Sequence, residues 1–134
     1  MMTSIVEYKG DLRTTCIHLQ SGNTIFTDAP TDNRGKGEAF SPTDLMATAL
    51  ASCMITTMGI KALDMEVDLT SVKAEVTKIM GSEPRRIAEV QINIYMPENL
   101  NHKEREILER TAHHCPISKS ISKDLIETVQ FIYQ

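Results

Sequence analysis

Three cysteines are the residues of this chain best equipped for chemistry, and their surroundings differ. Cys115 stands in HHCPISKSI, where Pro116 suits the first position of a helix and leaves Cys115 at its cap. A helix start presents unpaired N–H groups and partial positive charge, and Lys119 lies one turn along, so the local sequence favours a thiolate there. Cys53 lies inside SPTDLMATALASCMITTMGIK, residues 41–61, roughly 16 Å beyond Pro42 by helical rise, and gains almost nothing from its own helix terminus. Its thiolate would need a cationic side chain from elsewhere. A thiol on such a helix is either a small core hydrophobe or a reactive group in a pocket, and both readings stand. Cys16, in TTCIHL, alternates with its neighbours as an ordinary strand residue, and so does His18. A metal site drawn from His113, His114, Cys115 and either His102 or Cys53 lacks the spacing of a zinc site; the two adjacent histidines suit a polar helix end instead.

The elements that must position these groups can be read in order. Ser41 can cap a helix, Pro42 fits its first position, and Asp44 sits where a side chain can answer the cap. From Leu45 onward no face of this helix is properly hydrophilic, so it should be enclosed by its own domain or by a partner. Ahead of it, SIVEY, TTCIHL and TIFTD, with a turn at residues 20–23, predict a small antiparallel meander. Residues 29–41, APTDNRGKGEAFS, form a loop whose charged members are Arg34, Lys36 and Glu38 and whose glycines match neither nucleotide-binding spacing.

Beyond the central helix, Val67, Leu69, Val72, Ala74, Val76 and Ile79 suggest one long strand with a bulge between 69 and 72. A turn at GSEPR leads to RIAEVQINIYM, whose Ala88, Val90, Ile92, Ile94 and Met96 mark a half-buried strand. Asn101 and Glu104 form a capping box for a helix over about 102–112. A further helix opens at Pro116 with Ile117, Ile121 and Leu125 as its inner stripe, and ETVQFIYQ closes the chain as a strand. The order is α+β, in a single domain over 1–134.

Composition bounds the partners. The chain has 134 residues, 41% apolar and 24% charged, with a net charge of −4, which gives no reason to expect nucleic acid or an anionic membrane. No apolar run is read as long enough to span a bilayer, and the N-terminal sequence lacks the order of a signal peptide, so the expected location is the cytoplasm. An odd cysteine count argues against a structural disulfide framework. Eight methionines against six Phe and Tyr imply an adaptable aliphatic and thioether core, suited to apolar ligands of varied shape.

Thr43 and Asp44 lie about 13 to 15 Å from Cys53 along one helix and cannot serve it in cis. Two such helices packed antiparallel across a two-fold axis would bring the start of one to the cysteine of the other, and would cover the missing polar face. An obligate homodimer with interfacial pockets is therefore expected.

The stretch GKGEAFSPTDLMATALASC together with the later HHCPISKSI resembles the OsmC/Ohr family of thiol-dependent peroxidases and their relatives, and with the element order the resemblance covers nearly the whole chain. It implies the OsmC-like fold: antiparallel sheets, a long central buried helix and an intertwined homodimer. It further implies that Cys53 attacks a hydroperoxide, that Cys115 resolves the product as a disulfide, and that an external dithiol reduces it, with no metal or organic cofactor. Where the family's peroxidases carry a glutamate ten residues before the helix cysteine, this chain has Thr43 with Asp44 beside it. Where they carry an arginine after the first strand, it has Arg13, displaced, with Arg34 as the other candidate. Those departures give it the look of a divergent OsmC-like branch; Arg13, Arg34, Glu38, Thr43 and Asp44 are the candidate activating or positioning residues. The competing expectation is a small-molecule binding protein that holds an apolar ligand without peroxidase activity.

Overall fold

The computed structural model describes residues 1–134 as two compact units, Met1–Met46 and Ala47–Gln134. In the first, strands β1 (Ser4–Gly10), β2 (Arg13–His18) and β3 (Thr24–Asp28) form an antiparallel sheet in sequence order, as the meander reading expects. Val6, Cys16 and Ile25 are cross-strand neighbours and share one face; Glu7, Thr15 and Phe26 share the other. The burial of this unit is inverted. Its buried residues are Thr27, Asp28 and Ser41, while Ile5, Val6, Tyr8, Leu12, Leu19, Ile25, Phe26, Phe40 and Met46 are exposed.

The loop after β3 makes one 3-10 turn, Thr31–Asn33, and then doubles back. Gly35 donates its N–H to Pro30 O at 2.9 Å, and a Cβ at position 35 would fall 1.6 Å from Ala29 O. Only glycine fits there. The loop ends at Ser41, which accepts the Asp44 N–H on its hydroxyl while Asp44 Oδ2 accepts the Ser41 N–H, both at 3.0 Å. That reciprocal cap starts α1, Pro42–Met65, four residues longer than the sequence suggests.

In the second unit α1 lays Ala47, Leu50, Ala51, Met54, Met58 and Ala62 against a mixed sheet of β4 (Lys73–Gly81), β5 (Arg86–Met96) and β6 (Ile126–Tyr133). Those positions recur every three or four residues, the stripe of a core helix. By length and composition α1 is also long and apolar enough to cross a membrane, contrary to the reading of the bare sequence. Its buried stripe places it in a core instead, while Ser52, Thr56, Ile60 and Leu63 remain exposed on other faces.

Strand β5 alternates as expected, with Val90, Ile92, Ile94 and Met96 buried. It pairs antiparallel with β4 but parallel with β6, so this sheet is not purely antiparallel. The crossover that a parallel pair requires is supplied by α2, His102–Ala112, and α3, Pro116–Ser120. Asn101 and Glu104 form the capping box of α2.

Two sequence expectations are corrected. Residues 67–72 are not strand: Asp68 Oδ1 accepts the Thr70 N–H at 2.9 Å and turns the chain, and the β4 irregularity lies at Ile79 and Met80. The last helix stops after five residues, because Ile121 is already extended. Ile117, Ile121 and Leu125 still pack on the core, but the latter two do so from irregular chain.

Candidate functional site

Cys53 sits on the flank of the α1 stripe, half-buried, with Leu50 and Met54 on the core side. Thr57, one turn on, donates its hydroxyl to Cys53 O at 2.7 Å, which holds Thr57 Oγ1 at 4.0 Å from Cys53 Sγ. Thr57 spends its proton on the carbonyl, so its oxygen faces the sulfur as an acceptor.

Cys115 caps α3, as the sequence suggests. Its Sγ accepts the Ser118 N–H at 3.4 Å, and Ser118 Oγ donates to both Glu127 oxygens at 2.9 Å, which ties the first turn of α3 to β6. Cys115 belongs to the buried core against which Cys53 packs, and Cys53 is close enough to affect its ionisation. Both are free thiols, far apart in sequence and gathered in one core within the second unit.

The thiolate favoured by the local sequence at Cys115 is opposed by its surroundings. The residue is 0% exposed, and burial pushes its thiol up; the Ser118 N–H opposes this without prevailing, and negative charge on Cys53 makes ionisation of Cys115 harder still. A five-residue helix offers too little aligned dipole to outweigh that desolvation.

The remaining candidates lie in the first unit. Arg13 grips Asp28 through two bonds, Nε to Oδ1 at 2.7 Å and a terminal nitrogen to Oδ2 at 2.8 Å, and reaches Glu38 at 2.9 Å. Its guanidinium also lies 4.6 Å from the centre of the Phe26 ring. Asp28, 1% exposed, accepts the Glu38 N–H as well, at 3.0 Å. The Arg13 hydrogen bond, then the Glu38 N–H, hold the Asp28 carboxyl below the usual carboxylate range, against the opposing effect of burial.

The structure thus joins Arg13 to Glu38, and through Asp28, which the sequence reading passed over. The signal was there: the register that pairs Cys16 with Ile25 also pairs Arg13 with Asp28. Thr43 and Asp44 gather at Ser41, with Thr43 Oγ1 at 3.2 Å from the Ser41 hydroxyl. Arg34 lies exposed on the loop with left-handed backbone.

The histidines near Cys115 have structural partners. His113 packs edge-on to Phe131, and His114 donates Nδ1–H to Arg110 O at 2.7 Å. A cleft of about 360 Å³ opens beside Thr57, lined by Arg110, Thr111 and His114.

Residues 35–128 match the family described as OsmC-like protein. A protein from Psychrobacter arcticus 273-4, named provisionally as an osmotic stress induced and detoxification response protein, is 57% identical, with a TM-score of 0.95 over 98% of this chain and 96% of its own. The OsmC organic hydroperoxide resistance protein of Legionella pneumophila is 20% identical, with a TM-score of 0.72 over 98% of each chain. An organic hydroperoxide resistance protein from Elizabethkingia anophelis is 14% identical, with a TM-score of 0.77 over 100% of this chain and 98% of its own. The latter two likenesses are of fold. No curated protein matches the chain.

Proposed function

Because this chain belongs to the OsmC-like protein family, we propose that it is a thiol-dependent hydroperoxide reductase with Cys53 as the attacking thiol and Cys115 as the resolving one. The observation that carries this reading is that Cys53 and Cys115 pack in one core, close enough for charge on Cys53 to affect the ionisation of Cys115. A disulfide requires Cβ atoms about 4 Å apart, and two thiols of one core are the pair of this chain placed to reach it.

The chemistry balances without a cofactor. The Cys53 thiolate attacks the terminal oxygen of ROOH, the O–O bond breaks, and the alkoxide leaves as ROH after taking a proton; Cys53 becomes a sulfenic acid. The Cys115 sulfur then displaces hydroxide, which leaves as water with the Cys115 thiol proton, and a disulfide forms. An external dithiol returns both cysteines to thiols and is itself oxidised. Burial suits Cys115 to this order, since a thiol that keeps its proton does not compete for peroxide.

The working unit in this proposal is a homodimer in the cytoplasm. Support comes from the inverted burial of the first unit, whose sheet exposes Val6, Tyr8 and Ile25 on one face and Ile5 and Phe26 on the other, and from exposed Met46, Ile60 and Leu63 on α1. Arg13, held by Asp28 and Glu38, is the pre-oriented guanidinium that a second copy would present. Anaerobic protein given one equivalent of cumene hydroperoxide should lose two thiols per chain and gain one Cys53–Cys115 disulfide. Unchanged thiols would sink the proposal.

A further inference from the structure

The cleft lined by Thr57, the residue one turn beyond Cys53, has a chemistry of its own. Arg110 stands in the last turn of α2 and His114 just past its end, and Thr57 and Thr111 complete the lining. Arg110 is exposed, and its guanidinium has no ion pair. The carboxylates nearest to it in sequence are taken up elsewhere: Glu106 lies 3.7 Å from His102, and Glu109 accepts the Tyr133 hydroxyl. None of the four lining side chains is acidic.

The two hydroxyls are also committed. Thr57 donates to Cys53 O and Thr111 to Ile107 O, each at 2.7 Å, so both oxygens remain as acceptors. The cleft therefore offers one strong donor, the planar Arg110 cation, and two acceptor oxygens, of which that of Thr57 lies next to the sulfur. Thr57 Oγ1, at 4.0 Å from Cys53 Sγ, joins the two.

From this arrangement we infer that the cleft is a carboxylate-recognition subsite, in which Arg110 pairs with an anionic group on the molecule that reacts at Cys53. A guanidinium matches a carboxylate in a two-pronged fashion that an ammonium does not. Bound there, the carboxylate leaves the far end of its carrier beside Thr57, where an O–H or S–H can be donated to the threonine oxygen next to the sulfur. The carrier is either the oxidant or the incoming thiol, and both would be read by the same chemistry. The inference rests on the dithiol reading only for what the anchored molecule does next.

Binding is tested first, without turnover. 4-Isopropylbenzoate, which cannot react, should slow the alkylation of Cys53 by neutral iodoacetamide, scored at that peptide by mass spectrometry. 4-Isopropylbenzyl alcohol should not. Protection should weaken about fivefold in Arg110→Gln, the scale of a partly exposed ion pair, and return in part in Arg110→Lys. No protection by the carboxylate, or equal protection in Arg110→Gln, would overturn the subsite.

Turnover then identifies the carrier. If the carboxylate enters on the oxidant, the wild type should prefer cumene hydroperoxide bearing a para-carboxylate over the parent compound, and Arg110→Gln should erase that preference. If it enters on the reductant, the preference should appear for thioglycolate over 2-mercaptoethanol in reduction of the disulfide. Where peroxide is consumed, preference in neither step would overturn the inference. Protection by 4-isopropylbenzoate with no peroxide consumption at all would instead defeat the reductase reading and leave the subsite standing.

Discussion

Cys53 and Cys115 pack in one core although one is carried by the long central helix and the other by the cap of a five-residue helix after α2. Neither sulfur is placed by chance packing alone. Thr57 fixes the turn around Cys53, and Glu127 fixes Ser118 and with it the N–H that points at Cys115. The two thiols are thus positioned from independent elements.

Division of labour between them makes the first prediction. Cys53→Ser should abolish peroxide consumption and leave Cys115 a thiol. Cys115→Ser should complete one attack and stop, with a sulfenic acid at Cys53 that dimedone traps and mass spectrometry detects, and turnover with dithiol should fall at least tenfold. Equal activity in both variants would contradict the assignment.

The Arg13–Asp28 clamp predicts a pH dependence. Asp28 has its carboxyl held below its ordinary value, so the ionised form favours the folded state. That contribution is present above the unfolded carboxylate value, about 4, and is lost as pH falls through the lower folded value. Asp28→Asn should therefore lower Tm at pH 7, and the difference from wild type should narrow toward pH 3. A constant difference across that range would show that the charge is not what matters.

The start of α1 is a local device, and its cost is predictable. Ser41 and Asp44 satisfy each other's N–H groups, so Ser41→Ala or Asp44→Ala should each lower stability by about 1 kcal/mol in urea denaturation. The double variant should lose less than the sum, because either change alone already opens the reciprocal cap.

What the sequence disclosed follows from range. Both capping boxes, at Ser41 and Asn101, and the alternation of β5 depend on residues a few positions apart, and each stands as read. The stretch 67–72 shows the same local logic misapplied: its apolar spacing suggested strand, yet the Asp68 carboxylate offers the Thr70 N–H a nearer partner. Ile117, Ile121 and Leu125 are spaced like a helical stripe, but their burial is imposed by the core against which they pack. Desolvation of Cys115 and the parallel pairing of β5 with β6 are tertiary facts with no local signature. The proposed pairing of the two cysteines was suggested only by resemblance to a family.

Association can be separated from folding. Val6 and Ile25 are exposed neighbours on one face of the β1–β2–β3 sheet, so Val6→Glu or Ile25→Glu should change the stability of an isolated chain by no more than about 0.5 kcal/mol. If a second copy covers that face, either change buries an unpaired charge and should convert dimer to monomer in sedimentation velocity. A wild type that sediments as a monomer would refute the proposed dimer.

The ionisation of Cys115 makes a last prediction, on the alkaline side. Burial raises its pKa in the folded chain above that of the unfolded one, so the protonated thiol favours the fold. This contribution is complete below the unfolded thiol value, about 8.5, and is lost as pH rises through the folded value. Thermal stability of the reduced protein should therefore fall as pH passes from 8 to 10, and Cys115→Ala should flatten part of that fall. Iodoacetamide should label Cys115 far more slowly than Cys53 at pH 8, with a rate that climbs only at higher pH. Rapid labelling of Cys115 near neutrality would mean that its local helix start, rather than its burial, controls the proton.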